Sequence, residues 1–234
     1  MTVEWPGEER RRPSRTGATW TVRAPLAAWL IEEARAGAGG YRVLDVGCGP
    51  KPYYPFFAER ATEYVGVDVV HPAAELRGSV EALPVGDGSF DIVLCTQVLE
   101  HCDDPAQAVR ELCRVTAAGG RVLASTHGVQ LYHPSPNDHW RWTHTGLQRL
   151  FEDNCDWARV DVRAGAGTAA CLGMLLGTYV EIACRRAGAR TAARGPVWLL
   201  NRTAFAIDSK SALLREPRQG SLTANFHVVA TKPH

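Results

Sequence analysis

Val43-Leu44-Asp45-Val46-Gly47-Cys48-Gly49 decides how the rest of the chain is read. A short strand-forming run ends in two glycines one residue apart. Without a Cβ these glycines let the backbone turn sharply and approach a ligand closely, with the amides of the next helix facing it. A dinucleotide fingerprint would carry a third glycine at position 52, where Pro52 stands. Asp45 sits poorly beside a pyrophosphate and well beside a cationic ligand.

Outward from this turn, strand-like and helix-like stretches alternate, the pattern of a sheet covered on both faces. Apolar spacing predicts a helix over 20–38, ending at Gly39-Gly40, and a first strand over 41–46. A helix is expected over 53–60, then strands over 64–67 and 76–80. A fourth strand is expected over 90–95, a helix over 105–115, and a fifth strand over 121–126. Thr143 reads as the N-cap of a helix through Phe151. Strands over 157–162 and 225–231 complete a count of seven. Asp68, 19 residues after Gly49 at the end of the second strand, is placed to accept hydrogen bonds from ribose hydroxyls. The fold expected is therefore α/β, a doubly wound, seven-stranded, mostly parallel sheet. It carries a helical insertion over 164–223, between the last two strands, to serve as a lid, a substrate wall or a homodimer surface.

The chain has 234 residues, 45% hydrophobic and 22% charged, with net charge +1. Those values suit one globular domain and give no global field toward nucleic acid. Residues 1–18, with Arg10, Arg11, Arg12 and Arg15, read as a flexible basic arm before a single domain over 19–234. The apolar run near Leu172 falls short of the about 20 residues of a membrane span. Seven cysteines without C-x-x-C spacing argue against a disulfide framework or zinc knuckle, so reduced thiols and a cytoplasmic location are expected.

Residues 43–128 resemble the core of class I S-adenosylmethionine-dependent methyltransferases, in the small-molecule (type 11-like) group. The matching motifs are Leu44-Asp45-Val46-Gly47-Cys48-Gly49, Val65-Gly66-Val67-Asp68, Glu81-Ala82-Leu83-Pro84, Ser89-Phe90-Asp91-Ile92-Val93 and Val98-Leu99-Glu100-His101. The resemblance implies a Rossmann-like fold that binds S-adenosyl-L-methionine and releases S-adenosyl-L-homocysteine. It implies cofactor contacts from Asp45, Gly47, Cys48 and Gly49, from Asp68 and Val69, from Ser79, Val80 and Glu81 beside adenine, and from Thr96 and Gln97. Ser79 stands where relatives often have an aspartate, and Lys51 where they have a third glycine.

The expected reaction is O-methylation of a small organic acceptor such as a sugar, a polyketide or a phenol. The alternatives are C- or N-methylation of a lipophilic acceptor and a non-catalytic S-adenosylmethionine-binding module. Methyl transfer to oxygen needs proximity and a place for the proton, and histidine is the natural base. His133 ranks first and His127 second; His101 reads rather as orienting its loop. The stretch from Leu131 to Thr143 hangs over the carboxyl edge of the sheet, its prolines stiffening it, with His139, Trp140 and Arg141 as substrate-facing candidates. Asp138 and Arg141, three apart, read equally as a structural ion pair. Gln97 stands where some quinone-pathway relatives carry an extra metal-binding glutamate, and no required metal is expected.

Overall fold

The structure, a computed structural model, describes residues 5–134, 137–210 and 217–234. Strands β1 (Tyr41–Val46), β2 (Ala61–Asp68), β3 (Leu76–Arg77), β4 (Phe90–Thr96), β5 (Thr116–His127), β6 (Arg159–Ala164) and β7 (Asn225–Thr231) form one sheet. Their order is β3-β2-β1-β4-β5-β7-β6. The first five run parallel, and β7 enters antiparallel between β5 and β6. The order reverses between β1 and β4, the crevice where doubly wound sheets bind ligands.

Burial explains the central strands. Val43, Leu44, Val93, Leu94, Val122 and Leu123 are completely buried, because helices cover both faces and the parallel strands present no solvent side. On one face α4 (Pro105–Val115) and α5 (His144–Glu152) pack Leu112, Leu147 and Phe151 against the sheet. On the other, α2 (Trp20–Arg35) sets Leu26 and Leu30 against Val43, Ile92 and Leu123. Asp104 caps α4 by accepting from the Gln107 amide, and Thr143 caps α5 by accepting from Gly146, as its position in the sequence foretells.

Several elements depart from the sequence reading. The helix expected over 53–60 is the single turn α3 (Tyr54–Phe57), because β2 already begins at Ala61. Gly119-Gly120 does not precede β5 but lies inside it, where the pairing with β4 shifts register. The third strand keeps only two residues, and Val80 leaves it to join the core.

The basic arm expected to be free is docked from Trp5 onward. The Trp5 indole donates to the Lys51 carbonyl at 2.7 Å and stacks on Tyr54, and Arg11, at the end of α1 (Glu8–Arg11), donates to the Pro52 carbonyl at 2.7 Å. The thiols are not all free either: Cys113 on α4 and Cys155 beyond α5 are joined as a disulfide, Cα–Cα 6.4 Å. Packing of these neighbouring helices brings together two cysteines that 42 residues separate in sequence.

The insertion is a helical hairpin, α6 (Thr168–Arg186) and α7 (Arg194–Lys210), linked by a 3₁₀ turn over Arg190–Ala193. It leaves the sheet at the carboxyl edge, since Ala164 at the end of β6 and His127 at the end of β5 flank the start of β7. Among the described residues no helix is long and apolar enough to cross a membrane.

Candidate functional site

The glycine turn has the geometry its sequence demands. Gly47 adopts φ +64, and a Cβ there would lie 2.4 Å from Val98 Cγ2, so both the torsion and the space require glycine. Its amide and that of Cys48 donate to the Val67 carbonyl, locking the turn to the end of β2. Gly49 adopts φ +49 with no atom within 4 Å of where a Cβ would stand, which leaves space for a ligand to approach the turn closely. The Cys48 side chain is buried against Gly66, and its Sγ donates to the Gly49 carbonyl at 3.4 Å.

Lys51, in place of the third glycine, holds the left-handed φ of +52 that a side chain seldom adopts. It is held there by an ion pair to Glu75, which also accepts from the Gly66 amide at 2.7 Å.

The two acids of the turn differ in state. Asp45 is buried and accepts from the Tyr64 hydroxyl at 2.6 Å, and burial lifts its carboxyl to about 7. Asp68 accepts from the amides of Gly49 at 3.0 Å and of Val70 and His71 at 2.9 Å. Partial burial opposes its ionisation, but these three donors outweigh that and hold it below the usual carboxylate range. A carboxylate has about four acceptor sites. Room remains for a hydroxyl donor beside the exposed Val69.

The candidates for the adenine side are placed less openly. Ser79 accepts from the Glu81 amide at 3.2 Å, Val80 is buried, and Glu81 accepts from the Asp104 amide at the start of α4 at 2.8 Å. Thr96 closes β4. Gln97 adopts φ +59 and donates to Ser125 Oγ at 3.1 Å and Asn225 Oδ1 at 2.8 Å, binding β4, β5 and β7 together at their common edge.

Beside that edge lies a pair the sequence reading did not assemble. Glu100, in the 3₁₀ turn Leu99–His101, is wholly buried, and its Oε2 accepts from the Thr126 hydroxyl at 2.8 Å. Its Oε1 lies 3.4 Å from His127 Nε2 at the end of β5. Glu100 Oε1 and His127 Nδ1 are both buried without a hydrogen bond. Burial lifts the Glu100 carboxyl to about 7 and depresses His127 to about 4, the cationic Arg141 adding to the second effect.

Residues 139–142 lie against this pair. The amides of His139 and Trp140 both donate to the Glu100 carbonyl, and that of Trp142 to the His127 carbonyl. Asp138 and Arg141 form a two-pronged ion pair, and the guanidinium also holds the Leu131 carbonyl at 3.0 Å. Trp140 and Trp142 stack at 5.7 Å, and the Trp140 indole donates to the Cys102 carbonyl at 2.8 Å. His139 Nε2 is 3.5 Å from Asp103. His133, ranked first as base, is exposed on the outer part of the loop, its ring 6.2 Å from that of His101. Ser135 and Pro136 of the same loop lie outside the described residues.

Turn, acidic strand end and buried pair thus share one sheet edge at a topological switch point. Residues 44–124 match the methyltransferase domain family. Over that stretch, about a third of its length, the chain is similar to the methyltransferase domain. A methyltransferase of Mycobacterium sp. strain JLS, itself uncharacterised, is 43% identical over 130 residues, covering 50% of this chain and 52% of that protein. A ubiquinone biosynthesis O-methyltransferase of Pseudomonas aeruginosa is 34% identical over 121 residues, 44% of this chain and 50% of its own length. The chain therefore spans about half the length of the curated relatives it matches.

Among solved structures, a Haemonchus contortus phosphoethanolamine N-methyltransferase in complex with S-adenosylhomocysteine superposes with TM-score 0.57 at 16% identity, covering 98% of this chain and 60% of that one. The [4+2]-cyclase SpnF superposes with TM-score 0.57 at 19% identity, covering 95% and 85%. At such identity these matches show the shared fold alone. The turn fits the cofactor of the matching methyltransferase family: the space beside Gly49 is open, and Asp68 keeps an acceptor site free.

Proposed function

We propose that the domain transfers the methyl group of S-adenosylmethionine to a hydroxyl of a small organic acceptor, with His127 taking the proton. The observation that carries the assignment of the base is the buried Glu100–His127 pair at the carboxyl edge. The identity to an O-methyltransferase of P. aeruginosa supports oxygen as the accepting atom. When bound, the cofactor supplies an electrophilic methyl group on a sulfonium.

The chain's part is to hold, orient and deprotonate. Gly47 and Gly49 present backbone, Asp45 and Asp68 present carboxyl groups, and residues 128–134 and 137–143 with α6 wall the acceptor side. Gln130 reaches Met174 Sδ at 3.6 Å, which ties that loop to the hairpin. His127 Nδ1, a ring nitrogen buried without a partner, accepts the hydroxyl proton once acceptor binding opens a path to it. Nε2 faces Glu100 Oε1, where an ionised carboxylate stabilises the imidazolium that results. Depressed to about 4, His127 is neutral and able to accept at any pH above 5, so Glu100, at about 7, sets the pH dependence.

Transfer of labelled methyl groups to a panel of phenols, catechols and sugars tests this reading. Product methylated at oxygen is expected, at a rate that rises through a pH near 7 in the wild type and is flat there in Glu100→Gln. His127→Asn should cut turnover on the order of a hundredfold while leaving cofactor binding intact, and His133→Ala should leave turnover close to wild type. Product methylated only at nitrogen or carbon, or an undiminished rate in His127→Asn, contradicts the assignment.

A further inference from the structure

The outer face of the α6–α7 hairpin has a composition that the methyl-transfer site does not use. Both helices rest their inner faces on the segment before and at the start of α2. Gly177 packs on Ala18 and Val197, Asn201 donates to the Arg15 and Gly17 carbonyls, and Thr21 donates to the Ala170 carbonyl. The residues turned outward are apolar: Leu172, Leu176 and Tyr179 recur at helical spacing on α6 with exposures of 45%, 56% and 72%. On α7, Trp198, Leu199 and Phe205 are likewise exposed. Phe205 also meets the Trp20 ring edge-on at 5.8 Å. This number of large apolar side chains exposed on one helix pair marks a surface that meets something.

Charge decides what. Residues 164–223 carry eight Lys and Arg against three Asp and Glu, in a chain whose net charge is only +1. Two of the acids are turned inward. Glu181 accepts from the Ala18 amide, and Asp208 accepts from the Ala169 and Ala170 amides that open α6. Arg185, Arg186, Arg190 and Arg194 cluster at the hairpin's turn and are exposed. Among the described residues none of the four forms an ion pair. Arg190 and Arg194 stand just before and at the first turn of α7, the end where the helix dipole disfavours cations. Arg202 lies over the Trp198 ring at 5.3 Å, an aromatic–guanidinium pair of interfacial type.

A second copy of the chain would set one arginine cluster into the surface it shares with the other, so like charges oppose that occupant. A leucine, tryptophan and tyrosine face rimmed by free guanidiniums matches the headgroup and upper acyl layer of an anionic bilayer. Among the described residues neither helix is long and apolar enough to cross a membrane, so the fit is to a hairpin lying on its surface.

We propose that the outer face of the α6–α7 hairpin docks the protein on an anionic lipid surface. Because the hairpin leaves the sheet beside His127 and touches the loop over 128–143 through Gln130 and Met174, docking holds the carboxyl edge at the bilayer. If the proposed methyl transfer holds, that placement gives the site lipid-borne acceptors; the docking itself does not depend on it.

Co-sedimentation of the full chain with vesicles of phosphatidylcholine alone, and with about a third phosphatidylglycerol, tests the proposal. Binding is expected only to the anionic vesicles and should weaken with salt. Replacing Arg185, Arg186, Arg190 and Arg194 together by glutamine should weaken it about a hundredfold or more, and Leu172→Ser with Leu176→Ser at least tenfold. Both variants should keep wild-type circular dichroism and the wild-type heat stabilisation by S-adenosylhomocysteine. Equal binding to both vesicle types, or none to either, overturns the proposal. So does binding that the leucine substitutions leave unchanged and that a single-stranded RNA matches, since the face would then be a general polyanion surface. A dimer in sedimentation velocity that Leu176→Ser dissolves assigns the face to a second copy and overturns it as well.

Discussion

At position 47 a single methyl group meets two obstacles, a φ of +64 and the Val98 side chain 2.4 Å away. Gly47→Ala should lose roughly 1–3 kcal/mol of stability from the torsion and the clash. It should also bind S-adenosylhomocysteine more weakly; urea unfolding with and without the ligand reads both, and wild-type values in each would show that the turn tolerates a side chain. This residue was legible in sequence because the need for glycine is local, a strand running straight into a tight turn. The place of Asp68 at the end of β2 was readable because the strand's apolar run stops there. The Glu100–His127 pair was not, because 27 residues separate its members and only the pairing of β4 with β5 brings them together. The difference in burial between His133, exposed in its loop, and His127, buried at a strand end, is likewise set by packing that local sequence does not carry.

Elements carry the next set of differences. The strands with unbroken apolar runs were readable almost to their ends, whereas β5 is longer than its apolar run and the docked arm gave no periodic signal at all. The Trp5 contact with the Lys51 carbonyl and Tyr54 ties α1 to the far side of the glycine turn. Trp5→Ala should leave the fold intact and reduce affinity for S-adenosylhomocysteine several-fold by loosening that turn; unchanged calorimetric affinity would show that the arm is mere packing. The Cys113–Cys155 link closes a loop of 42 residues, for which chain entropy gives up to ~4 kcal/mol. Cys155→Ser should melt lower than wild type under oxidising conditions, and the gap should close when dithiothreitol is added to both. A wild-type melting temperature indifferent to reductant would contradict the link.

The whole molecule balances buried groups of opposite tendency. His127 and His227 are held near 4, mainly by burial, below the ordinary 6.5, so their contribution is complete above pH 6.5 and lost as pH falls through 4. Asp45 and Glu100 are raised to about 7, so theirs is complete below pH 4 and lost as pH rises through 7. Between those limits the two trends oppose, and stability should change little with pH. Asp45→Asn removes one arm of the balance: relative to wild type it should gain up to about 4 kcal/mol from pH 4 to pH 8. Denaturant unfolding at the two pH values checks this, and a constant difference would place the Asp45 carboxyl in its ordinary range. The central claim, that the Asp45-to-Gly49 turn and Asp68 hold the methyl donor, is tested most directly by calorimetric titration of the full chain with S-adenosylhomocysteine. One equivalent is predicted to bind to the wild type, with affinity reduced at least tenfold in Asp68→Asn; absence of binding to the wild type would contradict the account.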